Sequence, residues 1–321
     1  HEIKQKAFAT FEMMTVGEMS STTLENCILY TNPENKELDM TFQFHHLKVD
    51  YPNGEKWTKA PFDFIQLKKI LSKWQVGMYE GGGWNALFWC NQDQPRIVSR
   101  LGDEGKYHKE SAKMLATTLH MMQGTPYIYQ GEEIGMTNPH FEQIEDYRDV
   151  ESINAYHILR EQGKSEEEVM EILKQKSRDN ARTPMQWNRG KNGGFTTGTP
   201  WIPVAPNYSE INVESALQDQ DSIFYHYQKL IKLRKELDII TYGNYALLLE
   251  DDPNVFVFSR SFKQEKLIVI NNFYAKEASI TLPEDAQLTN GSLLISNYED
   301  SPHFSSSLTL RPYESIVYYL K

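Results

Sequence analysis

Apolar positions along this chain follow two regimes. In the first, short apolar runs alternate with stretches whose apolar residues recur at helical spacing; after Tyr242 the period drops to two. Residues 11–17 (FEMMTVG) form a compact apolar run ending at a glycine, the pattern of a buried parallel strand. Residues 20–30 follow with Ser and Thr placed as caps, and 38–44 (LDMTFQF) read as a second strand. An amphipathic helix is predicted over 63–74, a third strand over 86–90 (ALFWC), a helix over 109–122 and a fourth strand over 125–129 (TPYIY). These make four βα units, the repeat of an α/β barrel or of a doubly wound sheet. A barrel closes with eight such units, so four leave the inner face and the sheet edges open. The pattern therefore predicts something to cover them: a missing N-terminal half of the barrel, or self-association.

A long polar insert, about 138–206, holds a charged helix over 166–176 and a Gly/Thr/Pro/Trp-rich loop over 188–203. Loops this long in a compact domain are usually functional. A helix over 224–237 (FYHYQKLIKLRKEL) is expected to pack last on the barrel. Beyond it, 245–249, 255–261, 267–271, 278–282, 292–296, 307–310 and 316–320 read as short alternating strands joined by turns, a small antiparallel β-sandwich. The expected organisation is a barrel part over 1–240 and a β-sandwich domain over 241–321.

Composition narrows the function classes. The 321 residues carry Lys+Arg 33 against Asp+Glu 44, a formal net charge of -11, which argues against nucleic acid and anionic membrane surfaces as partners. A phosphorylated substrate would have to be met by a local basic cluster. The two cysteines, Cys27 and Cys90, stand among apolar residues without a second ligand at metal spacing, so a reduced, buried pair is expected and no metal or cofactor is called for. No apolar run approaches the roughly 18 residues of a membrane span, and no secretory pattern is present. A cytoplasmic protein is expected. The first residue is His1 and not Met, which points to a longer translation product.

Active sites on α/β barrels gather at the C-terminal ends of the strands. The first strand delivers Glu18 there, the third delivers Asn91, Gln92 and Asp93, and the fourth delivers Gln130, Glu132 and Glu133. Paired carboxylates in a cleft suit glycoside hydrolysis, one as acid/base and another as nucleophile or charge stabiliser. Spacing alone leaves the ordinary alternative open, that these carboxylates are helix caps or solvated residues.

Four segments in order, MMTVGEMSS (13–21), FWCNQDQPRIVSR (88–100), TPYIYQGEEIGM (125–136) and SRDNARTPMQW (177–187), resemble successive motifs of the α-amylase family, in particular its oligo-1,6-glucosidase-like branch. The resemblance runs from Phe11 to the end. It implies the C-terminal half of a (β/α)8 TIM barrel, strands five to eight, followed by a C-terminal antiparallel β-sandwich. It implies Glu18 as general acid/base, a group that must stay protonated near neutral pH, and Asp93 as the carboxylate that favours an oxocarbenium-like transition state. The family's nucleophilic aspartate lies on the fourth strand, upstream of His1, so this chain alone is expected to be inactive. The family's Asn-His-Asp stands here as Asn91-Gln92-Asp93. Glutamine keeps an NH2 donor on a longer stem, and a misplaced donor of this kind costs roughly 2–4 kcal/mol of transition-state stabilisation. Gln92 either serves in this lineage or marks an inactivated site. Arg182 resembles the arginine that recognises the non-reducing-end glucose. Arg178 stands close enough to be confused with it, and a salt bridge to Asp179 or Asp149 is the structural alternative for both.

The segment 45–57 (HHLKVDYPNGEKW) is similar to the trehalose-6-phosphate hydrolase branch of the family more than to the oligo-1,6-glucosidase branch. Lys48 and Lys56, with His45 and His46 beside them, would form a basic cluster for a sugar phosphate, lysine binding phosphate as a point charge. The alternative is that both lysines pair with neighbours such as Asp50 or Glu55. Trp84, Trp89, Trp187 and Trp201 are candidates for stacking on sugar faces, with core packing the better reading for Trp89. The rivals are an oligo-1,6-glucosidase and a non-catalytic scaffold like the amino-acid-transporter heavy chains that resemble this family. Glu18 and Asp93 favour an enzyme, whereas Gln92 and the absent nucleophile favour the scaffold.

Overall fold

The computed structural model describes residues 2–8, 10–286 and 291–321. The first regime of the sequence becomes β1 (Val16–Met19), α1 (Leu24–Thr31), β2 (Met40–Gln43), α2 (Phe64–Glu80), β3 (Asn85–Leu87), α3 (Ile97–Leu101), α4 (His108–His120) and β4 (Thr125–Pro126). The four strands lie side by side in sequence order, β1-β2-β3-β4, and every pairing is parallel. Helix starts follow local chemistry: Thr23 accepts from the Asn26 amide at α1, and Asp63 accepts from Gln66 at α2, capping otherwise orphaned donors. α2 then buries Phe64, Leu67, Leu71, Trp74 and Met78 at helical spacing against the sheet.

Two strands are shorter than their apolar runs. Residues 11–15 are not strand, and Phe11 and Met14 are 65% and 63% exposed. β1 is an outer strand, and instead of pairing, the Thr15 amide and hydroxyl donate to Asp39 at 2.6 and 2.7 Å. At β4, Pro126 has no N–H to donate, and the pairing closes with the Tyr127 amide on Leu87 O at 2.7 Å.

The insert folds around its own apolar cluster, with Phe141, Tyr147, Leu159, Val169, Leu173 and Ile202 at its centre. It supplies α5 (Val150–Glu161) and α6 (Glu166–Lys176), the latter opened by a Ser165/Glu168 capping box. α5 escapes periodicity because its inner face is small and partly polar: Ser152 and Ala155 are buried beside Leu159, while Val150 and Ile158 are exposed. Then come α7 (Val213–Gln218), α8 (Ile223–Glu236), which packs on α4, and α9 (Asp238–Tyr242).

The C-terminal part is antiparallel. β5 (Asn244–Leu248), β6 (Val255–Phe262), β7 (Glu265–Asn272), β11 (Ser315–Leu320) and β9 (Ser292–Ser296) form a five-stranded sheet in the order β5-β6-β7-β11-β9, and β8 (Ala278–Thr281) pairs with β10 (Ser307–Leu310). Period two divides β6 between two cores. Val255 and Val257 face β8 and β10, whereas Phe256 and Phe258 join the core shared with α2 and α4. Burying each such phenylalanine contributes about 1.5–3 kcal/mol. Polar pins cross the same seam: Lys68 of α2 donates to the carbonyls of Leu249, Asp252 and Val255 at 2.7–3.1 Å, and Arg260 donates to Met121 O at 2.5 Å. Cys27 and Cys90 are both free and buried. Among the described residues, no helix is long and apolar enough to cross a membrane.

Candidate active site

The C-terminal ends of the parallel strands open into a cavity of about 220 Å³, bordered by Glu18, Asn91, Gln92, Phe42, Phe88 and Tyr127. Its floor is aromatic, with Phe42 edge-on to Phe88 and to Tyr127 at centroid distances of 5.0 and 4.7 Å. Glu18 stands in β1 opposite Phe42, and its side chain is exposed. Beyond β3 the chain stays buried through Trp89 and Cys90, then surfaces at Asn91. There the Asn91 side chain accepts from the Asp93 amide at 2.8 Å, an Asx turn that sets the direction of the Asp93 carboxylate. Gln92 is exposed at the rim.

Asp93 is held by arginine. Arg182 donates through Nη2 to Asp93 Oδ1 at 2.7 Å and through Nε to Gln92 O at 2.7 Å. Arg178 is bidentate on Asp149, at 2.8 and 3.2 Å, and its Nη1 lies 3.6 Å from Asp93 Oδ1. Asp149 also sits 3.5 Å from Arg182, so both arginines share it, while Asp179 binds backbone amides instead. Burial opposes the charge of Arg178, but the Asp149 hydrogen bond and the nearby Glu151, Asp149 and Asp93 carboxylates raise its pKa overall.

The basic cluster expected around Lys48 is taken apart by the fold. His46 is buried, donates through Nε2 to Phe88 O at 2.9 Å and accepts from Gln43 at Nδ1 at 2.8 Å, which fits the neutral ring. Burial lowers its pKa to about 4. His45 spends Nε2 on Thr22 O at 3.0 Å and stacks on Trp74. Lys56 pairs with Glu151 at 2.8 Å and lies over the Trp57 ring, and burial pulls its pKa below the usual lysine range. Lys48 keeps an exposed side chain, and its ammonium donates to Ser20 O at 2.7 Å, two residues beyond Glu18. Of its three N–H donors, one is engaged there.

The strand-four carboxylates turn away from the cavity. Glu132 is buried and accepts from Tyr227 of α8 at 2.7 Å; burial pushes its pKa up to about 7. Glu133 accepts from the Gly131 amide at 2.7 Å, and the Gln130 carbonyl accepts from buried Arg96 at 2.5 Å. This turn requires glycine at 131: its φ is +89°, and a Cβ there would meet Met136 Sδ at 2.3 Å. Trp89 is fully buried, with its indole N–H on Leu115 O, and Trp84 donates to Thr125 at the opposite end of the strands. Trp187 and Trp201 are 49% and 63% exposed. Glu151 is the residue that reading the sequence missed. An Asp and a Glu flanking Val150 at a helix start were the available signal, acidic groups being favoured near a helix N-terminus. Among the described residues, no group of three or more His, Cys, Asp or Glu could hold a metal ion.

Comparison with known proteins agrees with this architecture. The catalytic-domain family described as "Alpha amylase, catalytic domain" matches residues 1–243, and the "Alpha-amylase SusG C-terminal domain" matches residues 255–317. Trehalose-6-phosphate hydrolase of Bacillus subtilis (strain 168) is 63% identical over 322 residues, covering 100% of this chain and 57% of the relative. Oligo-1,6-glucosidase of Bacillus cereus is 52% identical, over 100% of this chain and 58% of the relative. The crystal structure of Bacillus licheniformis trehalose-6-phosphate hydrolase superposes with a TM-score of 0.96 at 64% identity, over 99% of this chain and 58% of that one. The chain thus spans somewhat more than half the length of the relatives it matches. Parallel strands that carry Glu18 and lead into Asn91–Gln92–Asp93, and a catalytic-domain match over residues 1–243, lead to one conclusion: the chain belongs to the alpha-amylase family.

Proposed function

We propose that this chain provides the acid/base side of a retaining α-glucosidase that hydrolyses trehalose 6-phosphate to glucose and glucose 6-phosphate. The observation that carries the reading is the juxtaposition of Glu18 with the Asn91–Gln92 rim around one cavity, beside an Asp93 gripped by Arg182. Glu18 would protonate the leaving glycosidic oxygen, and Asp93 would hold sugar hydroxyls and favour the developing oxocarbenium charge. Gln92 and Arg182 would bind the glucose in the cavity. Lys48 would meet the phosphate as an exposed point charge anchored two residues past Glu18. Lys56 belongs to the same loop, but its ammonium is committed to Glu151, so the direct phosphate contact falls to Lys48.

In this reading the chain supplies strands five to eight of a (β/α)8 barrel, and the nucleophile comes from the other four. Support comes from the open sheet, with β1 and β4 outermost, and from relatives of which the chain covers 57–58%. The complement is then the N-terminal half of the barrel. The substrate is a soluble sugar phosphate, which suits a cytoplasmic protein.

Glucose release from trehalose 6-phosphate and from isomaltose tests the reading, measured for this chain alone and for the chain extended upstream in its own reading frame. Preferential cleavage of the phosphorylated sugar by the extended protein, with none by the chain alone, is expected. Preference for isomaltose would make it an oligo-1,6-glucosidase. Cleavage of neither would leave a glucosidase-like scaffold.

A further inference from the structure

A single line of alternating charges runs from the phosphate loop to the Asp93 carboxylate. Lys56 Nζ lies 2.8 Å from Glu151 Oε2, and the same oxygen lies 2.9 Å from Arg178 Nε. Arg178 grips Asp149 at 2.8 Å, Asp149 stands 3.5 Å from Arg182, and Arg182 meets Asp93 at 2.7 Å. Three cations and three anions alternate, so each charge is flanked by its opposite. Asp149 stands at the N-cap position of α5, its carboxylate turned to the arginines and not to the helix amides, and Glu151 occupies the first turn, so this twelve-residue helix places both carboxylates. The Asp149 side chain is 6% exposed, its backbone amide is held by Asp179 at 2.9 Å, and the helix N-terminus favours its charge.

We propose that Glu151 is a positioning residue, acting with Asp149, that couples Lys56 to the Asp93 carboxylate and so aligns the catalytic side of the cavity with the phosphate loop. The inference rests on the glucosidase reading above and adds a route between its two ends. The physical reason lies in competition for Asp93. Arg178 Nη1 is already 3.6 Å from Asp93 Oδ1, against 2.7 Å for Arg182. Glu151 and Asp149 hold Arg178 back, leaving one guanidinium on Asp93 and its other oxygen, Oδ2, for sugar hydroxyls. Without the Glu151 charge, Arg178 keeps one anionic partner fewer and closes on Asp93, which then turns its oxygens away from the sugar. Lys56 enters the same line, because without it Glu151 pulls Arg178 off Asp149, and Asp149, 3.5 Å from Arg182, then draws that arginine away from Asp93. Lys56 therefore acts on the reaction through Glu151, whether or not the sugar carries phosphate.

Steady-state kinetics of the upstream-extended protein and its K56M, E151Q and K56M/E151Q variants, on trehalose 6-phosphate and isomaltose, test this. Glu151 is 36% exposed, so E151Q is expected to fold. The expectation is that each single variant lowers kcat about tenfold on both sugars with KM little changed, and that the double variant is no worse than the poorer single one. E151D, which keeps the charge, recovers part of the rate. The proposal is overturned if K56M raises KM for the phosphorylated sugar alone, if E151Q changes neither sugar, or if the two effects multiply in the double variant. Cleavage of neither sugar by the parent protein would sink the glucosidase reading itself, and this coupling with it.

Discussion

The Lys176 ammonium lies 2.6 Å from Asp50 Oδ2, with side chains 2% and 7% exposed. Arg100, 5% exposed, meets the other oxygen, Oδ1, at 2.5 Å, so one buried carboxylate carries two buried cations. Burial works against the Asp50 charge, yet Arg100 and Lys176 outweigh it and hold the pKa below the usual aspartate range. Lys176 ends α6, Arg100 belongs to α3, and Asp50 stands two residues after Lys48, so the triad fastens the Lys48 loop to the insert and the barrel part.

Asp50→Asn should therefore be among the most damaging single changes outside the cavity. It leaves two buried cations without their anion, a loss of about 3–5 kcal/mol. Denaturant unfolding of the chain should show the midpoint falling accordingly. A shift of less than about 1 kcal/mol would mean the cations find other partners.

His46 predicts an acid limb. Its folded pKa of about 4, against 6.5 for the free side chain, means the ring is buried neutral and must take up a proton on unfolding. Between pH 6.5 and 4 the unfolded state binds more protons, so stability falls as pH falls through that window, by about 3 kcal/mol in total. His46→Gln should flatten the Tm profile across this range. An unchanged profile would place the acid sensitivity elsewhere.

Glu132 predicts the opposite slope. With its pKa pushed up to about 7 from 4.5, the folded carboxyl holds a proton that the unfolded one releases, so stability falls as pH rises from 4.5 to 7. Glu132→Gln keeps an acceptor for Tyr227 and removes the titration. The variant should gain on the parent by about 3 kcal/mol at pH 8 relative to pH 5, read as Tm at the two pH values. An equal Tm difference at both would show that Glu132 does not titrate in this window.

Gln92→His tests the departure in the third-strand motif. If a shorter, rigid donor at this position suits the transition state better, kcat of the upstream-extended protein should rise by about a hundredfold or more, the scale for one oriented donor. No gain would mean that Gln92 already does that work.

Lys48→Met should raise KM for trehalose 6-phosphate and leave isomaltose nearly unaffected, because only the phosphorylated sugar needs the ammonium. Equal effects on both sugars would give Lys48 a structural role through Ser20.

Much of the fold was legible because period and punctuation are local. The 166–176 helix carries its own capping box, and the seven late strands alternate with turns, so their order along the chain follows from short-range pattern. α5 was hidden because its inner face mixes Ser152 and Ala155 with Leu159 while Val150 and Ile158 are exposed, which blurs the helical period. Residues 11–15 misled in the other direction, since an apolar run becomes a strand only where a neighbouring strand accepts its hydrogen bonds.

The site divides along the same line. Sequence by itself determined which residue types arrive at the strand ends, Glu18 and Asn91–Gln92–Asp93, because a strand end is a local event. Only the tertiary structure decided what each charge faces. It buried His46 and Glu132, gave Lys56 to Glu151, and set Arg182 rather than Arg178 on Asp93. Those outcomes depend on burial and on partners 89 to 95 residues away. Pairing at that separation is fixed by packing, and no local pattern encodes it.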